Sequence, residues 1–341
     1  MRLLEISDID TERLTLFLLS QPESMLYHSV KYQKMLVQIL GCKQRGAIAV
    51  NGKEILGFMP VMETQGTYGR VLNSLPFYGS HGGLLACHDA ARQVLAGWFH
   101  ELVTENGVAS ATTIENPLML ETSIRGIAAD YVDERIAQFT PLNLDKANPD
   151  KLMASLHSKT RNMVRKADLS GIIVDTDAGQ LPVLARIHSE NMRAMSASPK
   201  PERFFELVPQ VFQEGEEWQC WVGRKDGEVV AALLVFYFNG ITEYFTPAVR
   251  EEHRSSQALS LVIFEAIRDS ARRGMRWWNW GATWRSQESV YRFKSRWGTV
   301  EMPYRYRTVV RNTALLSLSQ GELLEEYPYF YVLPFGVLND G

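Results

Sequence analysis

Residues 240–298 read GITEYFTPAVREEHRSSQALSLVIFEAIRDSARRGMRWWNWGATWRSQESVYRFKSRWG, and the fold class turns on them. Residues 241–249 are β-branched and aromatic, without glycine, the composition of a buried strand. A polar turn follows over 250–257. From Ala258 the apolar residues Leu259, Val262, Ile263, Ala266 and Ile267 recur at intervals of three and four, which predicts an amphipathic helix. Gly274 stands where a left-handed residue would end it. Residues 275–280 return as a strand, and an aromatic and basic helix closes the stretch. A helix that opens directly after a strand and a polar turn aims unpaired backbone N–H groups and its positive dipole end at an anion, which suits the pyrophosphate of a thioester carrier.

The same order recurs on both sides of a polar linker. Upstream, residues 11–19 and 30–40 have helical patterns, and 43–50 and 54–63 read as strands joined by the hairpin dipeptide Asn51-Gly52. A helix over 90–106 ends at Gly107, and strands follow over 108–114 and 135–144. The linker is 145–150, DKANPD. Beyond it come a helix over 151–167, helices over 181–195 and 202–213, and strands over 218–224 and 228–238 around Lys225-Asp226-Gly227. At 341 residues the chain suits two domains. The expected division is 1–144, 151–311 and a C-terminal tail, 312–341, packing on the core through the aromatic run Tyr327-Pro328-Tyr329-Phe330-Tyr331.

Composition excludes several classes of function. Apolar residues make up 45% and charged residues 22%, ordinary for a globular protein, and the net charge of −3 offers no general attraction to DNA. Cys42, Cys87 and Cys220 lack metal-ligand spacing, so neither zinc nor a disulfide framework is expected, and no metal site is assigned. No apolar run is long enough to span a membrane, and the acidic residues in the first 20 positions argue against a signal peptide. A cytoplasmic protein is expected, one that would meet a membrane-linked acceptor at the inner surface. The nucleophile elbow Gly-x-Ser-x-Gly of a serine hydrolase is absent.

Two segments of the organising stretch resemble a known superfamily. Arg254-Ser255-Ser256-Gln257-Ala258-Leu259 is similar to the pyrophosphate turn of GNAT N-acyltransferases, usually Arg or Gln, two residues, Gly, one residue, Gly or Ala. Gln257 and Leu259 stand in place of the two small residues, and without glycine the backbone approaches a pyrophosphate less closely. Tyr291-Arg292-Phe293-Lys294-Ser295-Arg296-Trp297-Gly298 resembles the Phe-Lys element of the FemAB-like branch, which includes peptidoglycan aminoacyltransferases and acyltransferases of surface-polysaccharide pathways. The resemblance implies an α/β (α+β) protein of two tandem GNAT-like domains, each a mixed, mostly antiparallel sheet flanked by helices. The implied activity is N-acyl transfer to an amino sugar of a cell-envelope glycan precursor, with acyl-CoA as cosubstrate and no tightly bound cofactor. Aminoacyl-tRNA as donor to peptidoglycan is the alternative. A non-catalytic GNAT-like binding module is a second one, because a degenerate turn could mark a lost donor.

Candidate site residues follow. Amide formation needs a neutral amine, stabilisation of the tetrahedral oxyanion and a proton for the leaving group. The resemblance assigns the oxyanion to Lys294 and the donor to Arg254, Ser255, Ser256, Gln257 and Ala258. Tyr291, three residues before Lys294, is placed to donate a proton, and Trp284 to shield the site from water. His81, in the glycine-rich loop 75–83, is a candidate base, with Tyr78 beside it on the acceptor side. Arg161 and Arg165 lie four apart on one helical face as a phosphate clamp. Glu243 and Tyr244 lie on the strand that borders the thioester in GNAT folds.

Overall fold

The computed structural model describes residues 1–77, 81–119, 129–283, 287–334 and 336. Two compact units result, Met1–Ile136 together with Met302–Gly341, and Ala137–Glu301. Relative to the division read from sequence, the second unit begins at Ala137, and residues from Met302 onward group with the first. Each unit is built of mostly antiparallel strands flanked by helices, the fold class expected, and the strands of the first unit belong to two sheets. Among the described residues no helix is long and apolar enough to cross a membrane, and no His, Cys, Asp and Glu cluster could hold a metal ion.

In the first unit, strands Arg2–Glu5, Ala47–Asn51, Glu54–Met59 and Leu85–Ala86 pair in that order, all antiparallel. Helix Asp89–Thr104 buries Ala91, Leu95 and Phe99 against them. The expected strand 54–63 is two strands, Glu54–Met59 and Met62–Gly66, each in a different sheet. The break falls at Pro60, which has no N–H to give a ladder. Likewise 43–50 divides into Lys43–Gln44 and Ala47–Asn51 at Arg45-Gly46.

The second unit is built on strands Ile173–Thr176, Trp218–Lys225, Glu228–Phe238, Ile241–Val249 and Trp277–Thr283. All pairs are antiparallel except the last, which is parallel and joined by helix Ala258–Arg272, as a parallel connection requires. Gly274, at φ +73°, closes that helix as expected. Alternation along Glu228–Phe238 separates the faces. Leu233, Val235 and Tyr237 pack with Val262, Ile263 and Ala266 of the crossover helix and with Val164 and Ala167 of helix Ser158–Leu169. Phe236 faces the other way, onto Phe204 of helix Glu202–Val211.

The expected helix over 151–167 is two helices, Pro149–Ser155 and Ser158–Leu169. His157 breaks it. Its backbone is extended, its ring caps the N–H of Lys159, and its own N–H donates to the Arg296 carbonyl. The supposed linker is ordered too, because Asn148 caps Pro149–Ser155 and Pro149 takes the first-turn position where a missing N–H costs nothing.

Candidate active site

The two parallel strands of the second unit part soon after they begin. Ile241, Thr242 and Glu243 pair with Trp277, Trp278 and Asn279. Beyond Glu243 the ladder stops among the described residues, although the strands run on to Val249 and Thr283. Local sequence explains the parting. Between Leu234/Thr246 and Val235/Tyr244 the register shifts, so Phe245 is an extra residue that bends its strand. On the other arm Gly281 adopts φ +75°, and its N–H turns back to Asn279 Oδ1 at 2.9 Å.

Glu243 and Asn279 sit at the apex, both buried, with Asn279 Nδ2 donating to Glu243 Oε2 at 2.8 Å. Tyr244 turns to the opposite face, half-buried among Trp278 and Trp280, whose ring centroids lie 6.1 and 5.0 Å from its own. Burial holds its phenol above the ordinary tyrosine range. From Tyr244 onward the strand has no parallel partner strand among the described residues, and at its far end Val249 N–H donates to Asn191 Oδ1 at 3.2 Å and Val249 O accepts from Asn191 Nδ2 at 3.0 Å, so the edge open to an extended ligand is the part before Val249.

Lys294 closes the other arm. It lies in helix Glu288–Ser295 and is 6% exposed, its Nζ donating to Thr283 Oγ1 at 2.8 Å, Ala282 O at 3.0 Å and Gly281 O at 3.5 Å. Desolvation pushes its ammonium down to about 7. Aromatic packing sets this helix, since Phe293 and Trp297 meet Trp280 at 6.0 and 5.5 Å. Helix Ser158–Leu169 secures its end, with Thr160 Oγ1 donating to Arg296 O at 3.2 Å.

At the end of the Ile241–Val249 strand, the expected polar turn is a 3₁₀ helix, Glu251–Ser256, followed by Ala258–Arg272. Gln257 stands between them at φ +62°, and its own side chain does not cap the second helix. The position where the superfamily motif has glycine thus keeps a glycine-like backbone although its side chain is large. Ser256 Oγ donates to His253 O at 2.7 Å and accepts from Ala258 N at 3.3 Å. Arg254 is ion-paired to Glu251 at 2.9 Å, and Ser255 is exposed.

The remaining candidates are placed elsewhere. Tyr291 is half-exposed and its hydroxyl donates to Glu301, which raises its pKa; it does not bond to the strand end that Lys294 holds. His81 belongs to the first unit and is fully buried, its ring edge-on to Tyr27 at 6.1 Å and Tyr304 at 5.0 Å, so it is not the tip of an exposed loop. The glycines after it are explained by packing. A Cβ on Gly82 would meet His28 Cε1 at 2.4 Å, and one on Gly83 the Ile114 carbonyl at 2.2 Å. Arg161 donates to Leu156 O at 2.5 Å, whereas Arg165 is exposed, so the two do not form a matched clamp. Tyr78 and Trp284 lie outside the described residues.

Sequence reasoning missed Asn279 and Lys200. Asn279 was visible only as a polar residue inside an aromatic strand, and Lys200 as a charge between Pro199 and Pro201.

Comparison with known proteins agrees with this geometry. Residues 154–295 match the family model of the acetyltransferase (GNAT) domain. Among curated proteins no sequence matches the chain. Solved structures similar in fold include FemX, at 14% identity and a TM-score of 0.69, covering 92% of this chain and 98% of that one. A tandem GNAT protein from the clavulanic acid biosynthesis pathway has 12% identity and a TM-score of 0.53, over 91% of this chain and 98% of its own. A GNAT-family acetyltransferase from Colwellia psychrerythraea has 11% identity and a TM-score of 0.51, over 91% and 100%. The second unit thus carries a match to the acetyltransferase (GNAT) domain, and the chain shares the fold of FemX and of a tandem GNAT protein.

Proposed function

We propose that this enzyme is an N-acyltransferase that forms an amide on an amino sugar of a cell-envelope glycan precursor, with acyl-CoA as donor. The parting of the strands at Glu243 and Asn279 carries the reading, because it leaves an extended backbone edge that leads to the helix opening at Ala258. Amide groups of the donor's pantetheine arm pair with that edge, and its pyrophosphate meets the positive end of the helix, where Ser256 Oγ and the Gln257 carbonyl already take the Ala258 and Ser260 N–H groups. The acceptor nitrogen attacks the thioester carbonyl. A C–N bond forms, the C–S bond breaks, and the thiol leaves with a proton. Glu243 receives the proton that the amine loses and passes it on to the departing thiolate, which restores the carboxylate.

Lys294 stabilises the oxyanion. Its contact to Gly281 O, at 3.5 Å, is the longest of three, so that N–H is the one that turns to a developing negative charge at least cost. A second reading, aminoacyl-tRNA as donor, is favoured by the exposed Lys159, Arg165 and Lys166 of helix Ser158–Leu169, which suit phosphates.

The test is mass spectrometry after incubation with a panel of acyl-CoAs and charged tRNAs against nucleotide-linked amino sugars. An N-acyl amino sugar formed from acyl-CoA is expected. Product formed only with charged tRNA would favour the second reading, and no product with either donor would overturn both.

A further inference from the structure

The face of the second-unit sheet opposite the crossover helix holds a charged group that the scheme above leaves unused. Glu243 is in register with Phe236 and shares its face. Phe245, the extra residue of the bulge, turns to that face as well, packing on Phe236 at 5.1 Å and stacking on Phe204 at 5.2 Å. Above Phe245 stands Lys200, its Nζ 5.2 Å from the ring centroid.

Lys200 is built into place. It lies in the loop between helices Leu181–Ala194 and Glu202–Val211, flanked by Pro199 and Pro201. Its backbone N–H donates to Nε2 of the buried His188 at 3.2 Å. Burial and the Lys200 charge push that imidazole down to about 3, so the ring is a neutral acceptor. The Lys200 ammonium is itself pushed down to about 7 by desolvation. A poorly solvated cation gains more from an anionic ligand than an exposed one does.

We propose that Lys200 binds a negatively charged group of the acceptor, so that the enzyme takes amines that also carry a carboxylate or a phosphate. The inference rests on the acyl-transfer reading. Glu243, where the amine docks, precedes Phe245 by two residues, roughly 6–7 Å along a strand. A carboxylate for the amine and an ammonium for the anion thus lie on one face at the parting of the strands. The two arrange an acceptor with its nitrogen inward, and a neutral amine gains nothing from Lys200.

The test compares thiol release from acetyl-CoA with paired acceptors, glucosamine against glucosamine 6-phosphate and alaninamide against alanine. In the wild type the anionic member of a pair should have the higher kcat/KM by about 10- to 100-fold, the worth of one charge-assisted contact. Lys200→Gln should bring the ratio to within about threefold, chiefly through KM, and Lys200→Arg should keep part of it. The pair that shows the preference tells phosphate from carboxylate. An equal rate within each pair in the wild type, or an unchanged preference in Lys200→Gln, overturns the proposal.

A second measurement needs no turnover. In protein labelled with [6-¹³C]lysine, the signal that disappears in Lys200→Gln should shift saturably with inorganic phosphate or acetate. No shift with either overturns the assignment even if acyl transfer is confirmed. A shift without thiol release from any acceptor supports the anion site and counts against acyl transfer from acetyl-CoA.

Discussion

Asn279 Nδ2 donates to Glu243 Oε2 at 2.8 Å, and these two residues are the last registered pair before the parallel strands part. The bond holds a buried carboxylate at the apex of the opening. Asn279→Ala should therefore cost about 1.5–3 kcal/mol in urea denaturation, the range for a hydrogen bond to a charged group. Asn279→Asp should cost more, because it sets two carboxylates together. Wild-type stability in Asn279→Ala would show that the bond does not hold the apex.

Lys294 is expected to act as a cation. Lys294→Ala should lower kcat by roughly 100- to 1000-fold with little change in donor affinity, and Lys294→Arg should restore only part. Since its ammonium titrates at about 7, the fraction able to stabilise an oxyanion falls as pH rises through 7. The pH profile of kcat should carry an alkaline limb near that value, absent in Lys294→Ala. Turnover within about threefold of wild type in Lys294→Ala would remove the catalytic role.

The same shift affects stability. The unfolded chain keeps the Lys294 proton up to the ordinary lysine value of 10.5, whereas the folded chain releases it near 7. Between these limits the unfolded state binds more protons, so this group makes stability rise with pH. Lys200 acts in the same direction over the same window. Lys294→Met should flatten the rise in denaturation free energy from pH 7 to 10, and the double variant Lys294→Met/Lys200→Met should flatten it further. An unaltered slope in both variants would place the two ammonium groups in water-like surroundings.

Gln257 holds a left-handed backbone that its side chain disfavours. Gln257→Gly should stabilise the protein by about 0.5–1 kcal/mol, because relief of the Cβ clash exceeds the added entropy of the unfolded chain. If the helix opening at Ala258 takes the donor's pyrophosphate, calorimetry should show CoA binding at least as tightly in this variant. Weaker binding would mean that the Gln257 side chain itself holds the donor.

Gly82 has a packing role. An alanine there would force a Cβ against His28 at φ +100°, so Gly82→Ala should lose about 2–4 kcal/mol. Thermal denaturation measures the loss. Stability near wild type would show that the loop has room beside His28.

The sequence by itself determined the elements of residues 240–298 and their match to an acetyltransferase (GNAT) domain. Strand, crossover helix, Gly274 cap, second strand and the Lys294 helix all follow from periodicity, capping and composition, which act over a few neighbouring residues. What these elements do to one another was not legible there. The bulge that makes Phe245 an extra residue exists only against Leu234 and Val235, and the parting of the strands only between Glu243 and Asn279. Three-dimensional packing likewise made Lys294 a buried ammonium and His81 an aromatic core residue, because exposure belongs to what surrounds a side chain and not to its neighbours in the chain. The break at His157 and the ordered linker show the same limit, since the Arg296 carbonyl that holds the break comes from more than a hundred residues away. Local rules choose elements, and long-range contacts choose which polar groups lose their water and acquire a chemical task.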